Sequence, residues 1–391
     1  MSLLPVEEAQ ARLLALTEML PTEQTPLADC VGRWTTANVM ALRDQPFADL
    51  SAMDGYAVAA GAGPWRVTQE SAAGGPLPPP LVSGEAARIF TGAPVPPGAD
   101  SILIQENATR VEDYVSQSAG DPLLPGLHVR RRGSDFTEGD MLLSPKSLLG
   151  PAQLGLAALG GHGALPVRRK PRVSIIATGN ELVAPGAPIP LGKIPSSNTV
   201  MLSALLQTLA CDVEDLGIVA DNLDAMTAAF DRARHADVIV STGGASVGDH
   251  DLVRPAFEAA GGTLDFWKIR MRPGKPLIAG KLGETAFLGL PGNPVSAYVT
   301  ATLFVLPLIR HLLGNPQVLP FISSAPLANP LGSAGDRDEY LRARLTREGA
   351  VALTAQDSAA TKALAQADCL IVRKAHSPAA MPGETVSIIP L

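Results

Sequence analysis

The densest candidate for chemistry is the run Ser241-Thr242-Gly243-Gly244-Ala245-Ser246-Val247-Gly248-Asp249-His250-Asp251. It joins an apolar strand to a helix. Glycines and hydroxyls in such a place leave backbone N–H groups free at a helix N-terminus, a setting that cradles phosphate. The bland alternative is a tight turn that merely needs glycine. Asp249 and Asp251 follow at once, and carboxylates beside a bound phosphate repel it unless a hard cation lies between, which implies Mg²⁺. Either aspartate alone is equally well read as a helix N-cap. Lys268, Arg272 and Lys275 come next, within Arg272-Pro273-Gly274-Lys275-Pro276, a segment that fixes its own backbone. Cations so held can bind an oxyanion or offset charge on a phosphate in transfer. Glu181, in Thr178-Gly179-Asn180-Glu181, and Asp221 are either metal ligands or surface acids. Two further dense stretches, residues 51–58 and 90–96, are turns carrying a carboxylate (Asp54) and a hydroxyl (Thr91), and no chemistry follows from them unaided.

These residues need a sheet to bring them together. From residue 171 the sequence alternates strand-like runs (172–178, 213–219, 237–241, 264–270, 286–290) with helical ones (199–210, 223–235, 251–260, 294–313). Alternation of this kind predicts a parallel sheet covered by helices with right-handed crossovers. Ligands of open parallel sheets bind beyond the carboxyl ends of the strands. Thr178 to Glu181, the loop 241–248 and Pro291-Gly292-Asn293-Pro294 all fall at such ends. Ahead of this region lies an amphipathic helix over 6–20, with Val6, Ala9, Leu13, Leu16 and Leu20 at helical spacing and Pro21 as its stop. Residues 46–139 hold short β-like runs cut by Pro and Gly clusters. A second helix over 150–159 is followed by Gly160, Gly161, Gly163 and Pro166, a natural boundary. After Pro320 the pattern turns strand-like again at 340–345, 350–353, 369–372 and 386–389.

A chain of 391 residues exceeds one ordinary core and predicts several domains. Its net charge of -7 disfavours a nucleic-acid binder. Arg130, Arg131 and Arg132 form the densest basic run, readable as a solvated patch or as an anion site. Cys30, Cys211 and Cys369 are odd in number and far apart, so they build neither a disulfide framework nor a zinc site, and a reducing compartment fits. Glu7 and Glu8 stand where a signal peptide wants basic residues. The apolar run 299–308 is too short for a bilayer and contains Pro307, so no membrane association and a cytoplasmic location are expected.

Taken together and in order, residues 51–58, 90–96, 178–182, 241–248, 273–276 and 290–297 resemble the molybdopterin molybdenumtransferases, a family related to the C-terminal part of gephyrin. The resemblance runs through almost the whole chain. It implies a multidomain α/β plus β protein: an interrupted helical domain (1–45 and 140–170), an inserted β-rich domain (46–139), a three-layer molybdopterin-binding α/β domain (171–318) and a C-terminal β-barrel-like domain (319–391). It also implies a homodimer whose active site is shared between subunits, and transient contact with a molybdopterin adenylyltransferase.

Carried over by motif position, the family's functional residues fall on Asp54, Thr91, Arg130, Asp135, Glu181, Asp221, Asp251, Lys268, Arg272, Pro291 and Pro294. The region implied to receive molybdate holds Lys275, Ser296, Arg342 and Ser358. The implied reaction takes adenylylated molybdopterin and molybdate, cleaves the phosphoanhydride, releases AMP and leaves molybdenum on the dithiolene sulfurs. Ser241, Gly243, Gly244, Ser246 and Gly248 would hold the pterin's terminal phosphate, and Asp251, Asp249, Asp221 and Glu181 would hold Mg²⁺. Four departures stand out: Asn180 and Ser196 occupy places where the family often has acids, Arg272 takes a place that Lys can hold, which keeps the charge but changes its geometry, and Lys362-Ala363 replaces a usual Ser pair. An adenylyltransferase is disfavoured by the long inserted segment and the C-terminal β region. A scaffold that has lost the reaction is disfavoured by Asp54, Glu181, Asp221, Asp251 and Lys268. A dinucleotide binder is disfavoured because no Gly-x-Gly-x-x-Gly follows the first strand.

Overall fold

The computed structural model describes residues 3–120, 122–244 and 252–391. Ser246, Gly248, Asp249 and Asp251 lie outside the described residues. Contacts divide the chain into two compact units, one of Met1–Glu23, Gly32–Thr36 and Pro166–Leu391, the other of Gln24–Val31 and Ala37–Leu165. This differs from a pairing of residues 1–45 with 140–170. The first helix, Val6–Ala15, is shorter than its apolar spacing suggests and buries Val6, Ala9 and Leu13 in the core of the larger unit. Helix Pro151–Leu159 belongs to the smaller one.

The smaller unit is built on a six-stranded sheet in the order Ala99–Ile104, Gly55–Ala59, Glu85–Ile89, Trp65–Ser71, Tyr114–Gln117, Ala108–Val111. Its pairs are antiparallel except Trp65–Ser71 beside Glu85–Ile89. Side chains alternate across it: Ala57, Ala87 and Ile102 pack on one face, Tyr56, Val58, Ala86 and Leu103 on the other. That is the period-2 burial of a sheet covered on both sides.

In the larger unit the α/β sheet runs Asp212–Val219, Arg172–Thr178, Val238–Thr242, Thr285–Leu290, Ile278–Leu282, Thr263–Trp267. The first four strands are parallel, as the alternation predicts. Ile278–Leu282 corrects the all-parallel expectation: it is antiparallel to both neighbours. Leu282 pairs with Thr285 across the two-residue turn Gly283-Glu284, and Gly283 sits at φ 62°. A turn of that length and backbone sign returns a strand directly beside its predecessor. Helices cover both faces, giving three layers. Val173, Ile175, Val238, Val240 and Leu288 face the helices Ser197–Leu206 and Pro294–Leu312, whereas Ile176, Ile239 and Phe287 face Leu223–Arg232 and Val253–Ala259. On the second face Phe230, Phe257 and Phe287 form a cluster with centroids 4.3 to 5.4 Å apart.

Pro294–Leu312 is long and apolar enough, by length and composition, to cross a membrane, which corrects the shorter run read from sequence. Most of it is buried inside the protein instead. Pro307 cannot donate to the carbonyl four residues back. The helix takes a π turn over Ala301–Val305, and the Leu303 carbonyl accepts a hydrogen bond from Gln10 Nε2 at 2.8 Å. One buried amide thereby pins Val6–Ala15 to this helix.

The C-terminal sheet contains Asp338–Thr346, Cys369–Arg373, Thr385–Pro390, Ser323–Pro326 and Gly349–Ala352. It also takes in Met271–Arg272, parallel to Asp338–Thr346. The expected strand 264–270 therefore ends early, at Trp267, and Arg272 belongs to a different sheet.

Candidate functional site

The parallel strands change direction of progression between Arg172–Thr178 and Val238–Thr242: the chain leaves the first to one side and enters the second on the other. Such a switch point leaves a crevice at the strand ends. Here a cavity of about 400 Å³ is lined by Thr178 and Thr242 at those two ends, by Ser196, Ser197 and Asn198 at one helix start, and by Gly292, Asn293 and Pro294 at another. Glu181 and Gly243 complete the polar wall. Asn198 Nδ2 donates to Thr242 Oγ1 at 2.7 Å and to the Gly292 carbonyl at 2.8 Å, which ties the strand end to the 290–294 turn. Asn198 Oδ1 and Ser196 Oγ are buried and have no hydrogen-bond partner among the described residues. A buried polar atom left so costs about 1–3 kcal/mol relative to a bonded one. Unspent hydrogen-bonding capacity gathered in one polar crevice suits a polar ligand.

Of the glycine loop, Gly243 lines this cavity, with φ 94° and the position of a Cβ only 2.3 Å from the Thr178 carbonyl. Gly244 sits beside it at φ 60°. Ser241 departs from expectation: it is fully buried, its hydroxyl is unpartnered among the described residues, and it is absent from the cavity lining. Consecutive strand residues face opposite sides, so Thr242 supplies the hydroxyl that Ser241 was expected to supply. Thr242 Oγ1 lies 3.4 Å from the Pro291 carbonyl.

Asp221 accepts from Thr178 Oγ1 at 3.1 Å and from the Asn180 N–H at 2.9 Å, while Asn180 Oδ1 accepts from the Asp221 N–H at 3.2 Å. Asn180 thus does structural service where an acid was expected. The Glu181 carboxylate has no hydrogen-bond partner among the described residues and lies over Gly179, where a Cβ would come within 2.7 Å of both its oxygens. No group of three or more His, Cys, Asp or Glu side chains able to hold a metal occurs among the described residues. Mg²⁺ commonly takes one or two carboxylates and completes its shell from phosphate and water. Glu181, in the cavity wall, and Asp221, bonded to Thr178 and Asn180 at the same strand end, are carboxylates of the kind that set uses.

A second constellation adjoins the start of helix Pro294–Leu312. Asn293, in the cavity wall, donates to Ser358 Oγ at 2.9 Å, and the Val295 N–H donates to the Ser358 carbonyl at 3.1 Å. Ser296 follows, buried in the first helical turn. Arg342 is fully buried; its Nη2 donates to the Ala355 and Asp357 carbonyls at 2.8 and 3.0 Å. Gln356 holds the Arg342 backbone on both sides. Arg342 Nε and Nη1 have no acceptor among the described residues, and burial pushes the guanidinium below the ordinary arginine value. A buried cation with two donors unspent is suited to an oxyanion.

Lys268 stands at φ 77° with its ammonium 4.5 Å from the Trp267 ring centroid, a cation–π contact. Arg254 approaches the same ring at 5.7 Å. Arg272 is exposed, 3.9 Å from Glu339, and Lys275 is exposed. None of these three expected cations lines the cavity. Sequence reading also passed over Asn198 and named Asn293 only as part of the loop 291–294; the signal each carries is a polar residue at a helix start.

In the smaller unit, Asp54 and Thr91 meet as their motifs suggest. One Asp54 oxygen accepts both the Thr91 N–H at 2.7 Å and the Thr91 hydroxyl at 2.8 Å. These two donors, backbone first, hold the carboxyl below the usual aspartate value, with Arg88 adding a smaller pull. The turn is braced by Ser51, whose N–H donates to Ala93 and whose carbonyl accepts from Gly92. Arg130 ends a short strand paired with Leu50 and is exposed. Arg131 and Arg132 are spent on Asp49 at 2.6 Å and Asp44 at 2.5 Å. Of the basic run, only Arg130 lacks a charged partner among the described residues. Asp135 is exposed, and its N–H donates to the Gln45 carbonyl at 3.0 Å.

Three family models cover nearly all of the chain: "MoeA N-terminal region (domain I and II)" over residues 4–161, "Probable molybdopterin binding domain" over 174–311, and "MoeA C-terminal region (domain IV)" over 324–391. The molybdopterin molybdenumtransferase of Haemophilus influenzae is 35% identical over 404 residues, covering 99% of this chain and 98% of that one. Molybdopterin molybdenumtransferase 2 of Mycobacterium tuberculosis is 35% identical over 364 residues, 89% of each chain. Among solved structures, a molybdopterin biosynthesis MoeA protein of Pyrococcus horikoshii superposes with a TM-score of 0.82 at 29% identity, covering 100% of this chain and 99% of that one.

Proposed function

The chain belongs to the molybdopterin molybdenumtransferases and is a transferase, and from that premise we propose that it inserts molybdate-derived molybdenum into the dithiolene of adenylylated molybdopterin, releasing AMP. The observation that carries this reading is the polar cavity at the sheet's switch point, with Ser196 Oγ and Asn198 Oδ1 unspent. Ser196, with its hydroxyl unspent, and the backbone at Gly243 offer donors to the substrate's phosphate, while Asn198 Oδ1 is left to accept from a donor elsewhere on the substrate. Glu181 and Asp221 would hold Mg²⁺, which when bound would supply charge neutralisation to the anhydride. Lys268, steadied on Trp267, and Arg272 stand outside the cavity and would offset charge on the departing phosphate where the substrate extends beyond it. Arg342, with Ser296, Ser358 and Lys275, takes molybdate through charge-assisted hydrogen bonds. Asp54, kept ionised by Thr91, presents a fixed carboxylate to the reacting groups, with Arg130 and Asp135 on the same unit.

The proposed assembly is a homodimer in which the inserted segment of one subunit serves the α/β sheet of the other. The exposure of Thr91 and Arg130, with Asp54 half-buried against Thr91, supports it. A cytoplasmic enzyme that receives its substrate in transient contact with a molybdopterin adenylyltransferase completes the reading. The test is AMP release from purified adenylylated molybdopterin with Mg²⁺, with and without molybdate. Molybdate-stimulated release is expected; binding without release in either condition would overturn the proposal.

A further inference from the structure

Asp54 can act from a defined position only if its main chain is fixed relative to Thr91. The carboxylate's own bonds to Thr91 do not secure this, because both residues lie in turns. Two carbonyls carry the load. The Asp54 carbonyl accepts the Gln105 N–H at 3.0 Å, and the Gly55 carbonyl accepts Arg88 Nη1 at 2.8 Å. Arg88 Nη2 then reaches Gln105 Oε1 at 3.1 Å. One guanidinium therefore joins the residue that follows Asp54 to the residue that holds Asp54's carbonyl.

The fork is itself held in place. Its carbon lies 4.6 Å from the Phe90 ring centroid and 5.3 Å from that of Tyr56. Tyr56 is Arg88's cross-strand partner, and Phe90 precedes Thr91. Planar stacking with two directed donors is a task for arginine, which lysine's point charge cannot reproduce. Space is tight as well: a Cβ on residue 55 would fall 2.0 Å from the Leu103 carbonyl, so only glycine fits beside Asp54 there.

We propose that Arg88 is a positioning residue for Asp54: its guanidinium clamps the Gly55 carbonyl and the Gln105 side chain and so sets where the Asp54 carboxylate stands. The proposal rests on the reading that Asp54 serves the transferase reaction. Arg88 itself touches no reacting atom.

The experiment uses the full-length protein with Arg88→Met and Arg88→Lys. Amide hydrogen exchange is followed at Thr91 and Gln105, and at Ala57 and Ala87 as reporters of the sheet, alongside steady-state AMP release. With Arg88→Met, exchange at Thr91 and Gln105 is expected to quicken at least about fivefold while Ala57 and Ala87 keep their protection, a local rather than global loosening. kcat is expected to fall about tenfold with KM nearly unchanged, as misplacement of a fixed group requires. Arg88→Lys should recover less than half of the lost rate. Equal loss of protection at all four amides would make Arg88 merely structural and overturn the proposal, as would unchanged exchange at Thr91, or full recovery by lysine. Should wild-type protein release no AMP, the functional reading fails, and the exchange measurement still decides the clamp.

Discussion

The Asp54–Thr91 turn and the cavity at the end of the α/β sheet solve opposite problems. In the turn the hydrogen-bonding groups are mostly spent on one another: Thr91 gives both donors to Asp54, and Ser51 and Arg88 brace the backbone. What is left is one charged oxygen in a fixed place. Around the cavity, and at Arg342 beneath the 355–357 segment it bonds, donors or acceptors are buried without partners among the described residues. The first arrangement fixes a carboxylate before any ligand arrives. The second keeps hydrogen-bonding capacity for a ligand to use. Substitutions in the turn should therefore change rates, and substitutions around the cavity should change affinities.

The sharpest break would come from Asp54→Asn. Loss of the carboxylate is expected to lower AMP release about 10²- to 10⁴-fold, the range for a positioned acid–base group. The melting temperature should hold, since an asparagine Oδ1 can still accept both Thr91 hydrogen bonds. A fall of several degrees would instead make Asp54 a structural cap and erase the contrast. Next in size is Arg342→Met, which removes the buried cation. The molybdate concentration giving half-maximal stimulation should rise about 10- to 100-fold, as befits loss of charge-assisted bonds. Molybdate should raise the melting temperature of the wild type and not of this variant; equal shifts would put the oxyanion elsewhere.

Smaller still, Asn198→Ala should weaken substrate binding about tenfold by calorimetry, equivalent to about 1.4 kcal/mol, with a lesser effect on kcat. The reverse split would move Asn198 to the rate-setting side. Thr91→Val gives the finest distinction. Thr91 lowers the Asp54 pKa, so the charged form persists in acid and is lost as pH falls through that lowered value. Without the hydroxyl the value moves up toward ordinary aspartate, and the acid limb of the rate profile should shift to higher pH while the rate near neutrality barely changes. An unmoved acid limb would show that another group sets it.

Much of this was legible along the chain. Val173, Ile175, Val238 and Val240 announce buried strands, and the glycines and prolines at 178–182, 241–248 and 290–297 mark their ends. Asp54 and Thr91 were visible only as members of motifs, because 37 residues separate them and neither turn alone needs the other. The strand Ile278–Leu282 was not legible at all, since Gly280 and Lys281 interrupt its apolar run. Asn180 and Ser196 stood out as departures from the family, yet one holds Asp221 and the other offers an unpartnered hydroxyl in the cavity.

By itself the sequence determined the periodicities, the turns and the order of motifs, hence the α/β plus β architecture and the family. Those properties are local: each depends on side chains a few residues apart and on backbone angles that glycine and proline permit or forbid. Only the tertiary structure decided that Thr242 rather than Ser241 faces the cavity, that Arg272 joins the C-terminal sheet, that Arg131 and Arg132 are spent on carboxylates, and that Arg342 keeps two donors in reserve. Burial and hydrogen-bond satisfaction are sums over neighbours distant in sequence. A residue's type sets what it is able to offer, and the packing around it sets what remains for a ligand.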